Sequence, residues 1–121
     1  MEPLAALKKD VEDFARERRW GRYHTPKNLA MAMVKEAAEV VELFQWLTPE
    51  QAQSLTPRER RQLSDELADT YVYLLKLAAC FEIDLVAAAR IKMRKNRLKY
   101  PLKQRRSWSD ARRFSAKRAR G

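Results

Sequence analysis

The stretch TPKNLAMAMVKEAAEVVELFQW, residues 25–46, decides the fold. Thr25-Pro26 reads as a helix start. A threonine oxygen accepts from the free N–H groups of a first turn, and a proline at the first helical position gives up an N–H that has no partner there. From that start Leu29, Met33, Ala37, Val40 and Phe44 recur at three- and four-residue steps, which predicts a helix to about Trp46 with one apolar face. Two acidic residues interrupt the pattern. Glu36 falls in register with Leu29, Met33 and Val40, and Glu39 follows three residues later.

The same start signal recurs downstream. Thr48-Pro49-Glu50-Gln51 and Thr56-Pro57-Arg58-Glu59 each place Gln or Glu where a capping box needs it. The first opens a short helix or turn. The second opens a long helix through Leu63, Leu67, Tyr71, Leu74 and Leu77 to about Cys80, which is expected on the apolar side as plain core. Upstream, Leu4, Leu7, Val11 and Phe14 mark a first amphipathic helix, and residues 18–24, around Gly21, read as a connecting loop. Asp84 caps a last helix through Val86, Ala89 and Met93, ending near Tyr100-Pro101. No segment alternates with period two between turn residues, so no sheet is expected. The expectation is an all-α fold: a four-helix bundle core of antiparallel helices over residues 1–101, followed by a flexible basic tail over residues 102–121.

Composition narrows the function classes. The chain has 121 residues and is 45% apolar, enough for one core, but helices this short leave apolar surface that oligomerisation would cover. Gly21 and Gly121 are the two glycines, which excludes a Gly-rich phosphate loop. Cys80 is the single cysteine, so no intrachain disulfide forms, and a reducing, cytoplasmic setting is expected. The first residues lack a basic segment followed by an apolar run, so neither a signal peptide nor a membrane span is expected. The net charge of +10 is uneven. Residues 90–121 carry 14 Lys and Arg against one acid, whereas residues 1–89 carry 12 against 15. The basic part could meet nucleic acid or an anionic surface, or fold back onto phosphates.

Residues three apart on a helix are neighbours, so Glu36 pairs with Glu39 and Glu66 with Asp69. Such pairs are commonly solvated surface. Here Glu36 lies on an apolar stripe, and Glu66 stands between Leu63 and Thr70 at the edge of another. Carboxylates brought together in an interior repel, and their desolvation is costly unless a cation compensates. Hard divalent cations take oxygen ligands, so Mg²⁺ suits the site and Mn²⁺ could replace it; nearby His or Cys ligands, which would point to zinc, are absent.

The run KEAAEVVELFQW at residues 35–46, followed by DELAD at residues 65–69, resembles the E-x-x-E … E-x-x-D signature of MazG-like nucleotide pyrophosphohydrolases, and within them the dCTP pyrophosphatase branch. Glu17-Arg18-Arg19-Trp20 through His24-Thr25-Pro26-Lys27-Asn28-Leu29, the Thr56-Pro57-Arg58-Glu59-Arg60 start, and Lys92-Met93, Asn96-Arg97 and Tyr100-Pro101 agree with it, so the likeness spans about residues 4–101. The resemblance implies an all-α enzyme that cleaves a nucleoside triphosphate, dCTP or a modified dCTP as first guess, to the monophosphate and pyrophosphate. It implies Mg²⁺ held by Glu36, Glu39, Glu66 and Asp69. It implies substrate contacts from Trp20, His24, Trp46 and Tyr73 at the base, from Lys92 and Asn96 at phosphate or sugar, and from Asn28. Homodimers or homotetramers with interfacial sites are also implied. Two departures are visible: Ala37 and Ala38 stand where the family often has glycine, and the sequence after Pro101 does not match the family ending.

The residues also allow plainer readings. Trp20, Trp46 and Tyr73 could be core aromatics, His24 a loop residue, and Lys92 and Asn96 solvated surface. Glu42, one step beyond Glu39, could orient a ligand or pair with a base. The rival functions are another MazG-like specificity, such as dUTP or a broad set of nucleotides, and a helical module that binds nucleic acid through residues 90–121.

Overall fold

The computed structural model describes residues 2–102; the basic stretch from residue 103 onward, and with it the expected tail, lies outside the described residues. Five α-helices follow one another: α1 (Pro3–Glu17), α2 (Pro26–Phe44), α3 (Pro49–Gln53), α4 (Pro57–Cys80) and α5 (Leu85–Lys99). A 3₁₀ turn, Gly21–Tyr23, lies between α1 and α2, inside the segment expected as loop. The fold is all-α, with no strand among the described residues. Two compact units are distinguished, Met1–Leu85 and Val86–Gly121.

The threonine starts behave as their chemistry requires. Thr25 Oγ1 accepts from Asn28 N at 3.2 Å. Thr48 and Thr56 form complete capping boxes, with Gln51 and Glu59 side chains accepting from the backbone N–H of each threonine. Helix ends are closed differently. Arg19 and Glu82 take left-handed backbone angles (φ 56° and 54°) although neither is glycine. Each sits just past a helix, and the residue after it reaches back five positions: Trp20 N to Ala15 O and Ile83 N to Ala78 O, both at 3.0 Å. This is the Schellman closure, and the left-handed residue is its geometric condition.

Within the first unit, α2 and α4 form the main packing pair and α1 lies along α4. The α2–α4 pair is antiparallel, since Leu43 lies opposite Gln62 and Glu39 opposite Glu66 along the same wall. Among the described residues the core proper is small: Ala15, Leu29, Leu75 and Ala78 are buried. Three details differ from the sequence expectation. The α2 seam uses Met33, Glu36, Val40 and Leu43, all half-buried, while Ala37 is exposed. On α4, Leu67 and Tyr71 are exposed, because Glu66, Thr70 and Tyr73 occupy the side nearer the seam. Cys80 is exposed rather than core. It lies two residues beyond buried Ala78, about 200° around the helix, and so points away from it.

The second unit is described through Leu102. Its helix α5 exposes Arg90, Lys92, Arg94, Lys95, Arg97 and Lys99, with Asn96 half-buried. Asn96 O accepts from Tyr100 N at 2.8 Å.

Candidate functional site

The antiparallel register of α2 against α4 brings the two acidic motifs to the same level. Glu36, Glu39 and Glu66 each offer one carboxylate oxygen, and these oxygens lie within 4.8 Å of one another. All three residues are half-buried. Such a group is kept together, against its own repulsion, by the packing of the two helices. The repulsion is visible in the proton affinities. Glu66 is pushed up to about 7, first because its protonated form donates a hydrogen bond to Glu39 and then because burial disfavours its charge. Glu39, accepting that bond, is held below its ordinary value. Glu36 is raised, chiefly by burial and then by the charge of Glu39. Three carboxylates thus share a proton.

Glu66 Oε2 is buried and has no hydrogen-bond partner. Its near neighbours are carboxylates, which accept but do not donate when ionised, so only a shared proton or a cation satisfies it. An all-oxygen donor set with a buried unsatisfied oxygen fits a hard divalent cation. Asp69 stands outside the three-residue group and is exposed, yet its charge acts on Glu36.

Asp69 also lines a cavity of about 350 Å³ between α1 and α4, together with Phe14, Trp20, His24, Val72, Tyr73 and Lys76. The aromatic rings of this wall form a chain of edge-to-face contacts. Phe14 to Trp20 is 5.5 Å between centroids, Trp20 to His24 is 5.9 Å, and His24 to Tyr73 is 6.4 Å. Trp20 owes its place to the Schellman closure, which turns the chain back on α1 at Arg19. His24 is fixed through its backbone N–H, which donates to Trp20 O and Gly21 O, both at 3.2 Å. Burial, and then the charge of Lys76, lower its proton affinity, which favours the neutral ring. Its Nδ1 is buried without a partner.

The structure therefore gathers Trp20, His24, Tyr73 and Asp69 about one cavity and Glu36, Glu39 and Glu66 about one point. Trp46 is not among the cavity residues; it follows α2 and is 84% exposed. Asn28 donates from Nδ2 to Tyr23 O at 2.9 Å, bracing the turn before α2. Lys92 and Asn96 lie four residues apart on α5, within the second unit. Phe14, Asp10 and Lys76 line the cavity without having been singled out as site residues. Their spacing looked like an ordinary amphipathic face, and only the pairing of α1 with α4 makes them converge.

Comparison with known proteins agrees with this arrangement. The MazG-like family pattern matches residues 31–111. A dCTP pyrophosphatase 1 from Homo sapiens is 46% identical over 99 residues, covering 80% of this chain and 58% of that protein. The Bos taurus dCTP pyrophosphatase 1 is 46% identical over 92 residues, covering 74% of this chain and 54% of that one. The chain thus spans little more than half the length of these curated relatives. A crystal structure of a pyrophosphatase from Archaeoglobus fulgidus superposes with a TM-score of 0.79 at 36% identity, covering 84% of this chain and 94% of that one. With its acidic motifs on two facing helices and a family match across most of its length, the chain belongs to the MazG-like family.

Proposed function

We propose that this protein is a divalent-metal-dependent nucleoside triphosphate pyrophosphohydrolase that converts dCTP, or a modified dCTP, to the monophosphate and pyrophosphate. The carrying observation is the convergence of Glu36, Glu39 and Glu66 within 4.8 Å. The relatives described as dCTP pyrophosphatases support the substrate class. Glu36, Glu39 and Glu66 would hold Mg²⁺, or Mn²⁺ in its place, with Asp69 beside them. A bound Mg²⁺ supplies charge neutralisation at the phosphates and a water made more acidic. The chain's own residues do the rest. The walls of Phe14, Trp20, His24 and Tyr73 receive the flat base and exclude water from it. A carboxylate oxygen of Glu39 or Glu66 takes the proton of the attacking water. The dNTP-containing, reducing cytoplasm is the compartment this activity suits, and cleaning or balancing the dNTP pool is its role.

The test is a panel of nucleoside triphosphates with and without Mg²⁺, following pyrophosphate release. Metal-dependent release with dCTP preferred is expected. No release from any triphosphate would overturn the enzymatic reading, and equal rates for dCTP, dATP and dGTP would overturn the dCTP assignment.

The proton shared by the carboxylates sets a second expectation. A carboxylate whose folded affinity is raised to about 7 contributes stability below its unfolded value of 4.5, and that contribution is lost as pH rises through about 7. The metal-free protein is therefore expected to melt lower at pH 8 than at pH 5.5, and added Mg²⁺ or Mn²⁺ to raise the melting temperature more at pH 8. Equal cation-induced shifts at the two pH values would show that no proton is displaced.

The active form is an oligomer, a homodimer or homotetramer. Met31, Val34 and Val41 form a second apolar row on α2, each 60–63% exposed, and Leu67 and Tyr71 are exposed on α4. Apolar rows of this kind are typical of chains whose core is completed by a partner. The double variant Met31→Glu, Val34→Glu is expected to move the light-scattering mass in size-exclusion chromatography toward the monomer. A monomeric parent protein would remove this part of the proposal.

A further inference from the structure

Asp10 and Lys76 are charged groups in the cavity that the reading above does not use. Asp10 comes from α1 and Lys76 from α4, and both line the cavity with the aromatic wall. Neither makes a hydrogen bond or ion pair with another described residue. Lys76 is half-buried while Asp10 is exposed. The Lys76 ammonium has no acceptor among the described side chains, so an acceptor on a bound molecule would find a free donor there. The rest of that lining is Leu7, Val11, Ala15 and Val72, which bring no polar side-chain atom. Besides Asp69, the charged groups of the lining are one acceptor-only group, Asp10, and one donor-only group, Lys76.

Their position along α4 gives the cavity a direction. Glu66, Asp69, Tyr73 and Lys76 follow one another at three- and four-residue steps along one side of the helix. Ten residues at 1.5 Å each place Lys76 about 15 Å from Glu66. One end is the carboxylate group, suited to a metal and phosphates. Toward the other end of this row is Lys76, and Asp10 lines the same cavity from α1. An elongated ligand that is anionic at one end and flat and polar at the other matches that order.

We propose that Asp10 and Lys76 are the specificity-determining pair that reads the edge of the base, Asp10 accepting from an exocyclic amino group and Lys76 donating to a ring carbonyl. This rests on the reading of the cavity as the base pocket of a pyrophosphohydrolase. Among the pyrimidines the chemistry selects the one with an amino group. Cytosine presents its N4 amino donor and O2 carbonyl on one edge, so both charged groups are satisfied. Uracil and thymine turn a carbonyl toward Asp10, which cannot donate. Adenine keeps an amino group for Asp10 but offers Lys76 a ring nitrogen, differently placed, instead of a carbonyl. Once the base fills the cavity and shields the pair from water, a polar group left unpaired by the wrong base disfavours that base more than a poor fit to shape does.

Two variants test the pair in the whole 121-residue chain, with kcat and KM measured separately for dCTP, dUTP, dATP and dGTP. Asp10→Asn keeps the size of the side chain but adds a donor, so it is expected to lower the dCTP/dUTP ratio of kcat/KM by about tenfold or more. Lys76→Met keeps the apolar stem that packs in the cavity wall, and it is expected to raise KM for dCTP about tenfold with kcat little changed, the mark of lost binding shared by ground and transition states. Melting curves for both variants show whether the fold is intact, and either variant alone suffices for the test. A parent protein inactive on every triphosphate overturns the pocket reading itself. An active parent whose base ratios and KM stay the same in both variants overturns the role of Asp10 and Lys76 while leaving the pyrophosphohydrolase reading standing.

Discussion

Glu66→Ala is expected to abolish metal-dependent pyrophosphate release, lowering kcat/KM by about 10³-fold, since the several kcal/mol that a bound cation contributes convert to that factor at 1.36 kcal/mol per decade. The reason lies in the α2–α4 seam. Glu66 is the α4 member of the three-carboxylate group, facing both α2 members. Removing it leaves Glu36 and Glu39 on a single helix, with the donor set open on one side. The fold should survive, because the substitution deletes a carboxylate that repels its neighbours. The metal-free variant is accordingly expected to melt at or above the parent temperature at pH 8, where Glu66 of the parent is mostly ionised. Glu66→Gln separates charge from size: it keeps the volume and adds a donor, and it should be equally inactive with no cation-dependent rise in melting temperature. Turnover within tenfold of the parent in either variant would remove the carboxylate group from the reaction.

Leu29→Ala is expected to destabilise the protein by about 2.7–5 kcal/mol, the cost of a truncated leucine in a packed interior. Leu29 is 2% exposed and is the largest fully buried side chain, in a core whose other members are Ala15, Leu75 and Ala78. With so few buried residues the cavity cannot be shared out among neighbours. A typical domain has about 5–15 kcal/mol in total, so the loss would take a large part of it. Leu29 also lies in the first turns of α2, directly after the segment that carries Trp20 and His24. Local loosening there is expected to raise KM for the nucleotide before the protein unfolds globally. Urea titration at a fixed protein concentration measures the first effect; a change below about 1 kcal/mol would mean that the packing centre lies elsewhere.

Much of this was legible in the residues themselves. The three Thr-Pro starts are local devices, in which each threonine satisfies a backbone N–H three residues away, and all three were found where the sequence puts them. The acidic spacing was legible for the same reason, since neighbours on a helix are set by 3.6 residues per turn. Other features depend on contacts distant in sequence. Leu67 and Tyr71 read as inward because apolar periodicity marks an apolar face without saying what covers it. The facing of Glu39 with Glu66 turned the seam toward the carboxylates and left those two side chains outside. Trp20 read also as a core aromatic and His24 equally well as a loop residue, because nothing local announces a left-handed Arg19 where glycine would be usual.

The sequence by itself determined the helices, their starts, and which acidic residues pair within each helix, because these follow from hydrogen bonds and side-chain spacing within a few residues. The family membership was legible there too, in the order of the motifs. Only the tertiary structure decided that the acidic pairs meet as a group of three with Asp69 beside them, and that Asp10 and Lys76 share a cavity with the aromatic wall. Those facts rest on the register of α2 against α4 and the placement of α1 along α4. Register is a property of two surfaces in contact, and no single helix carries it.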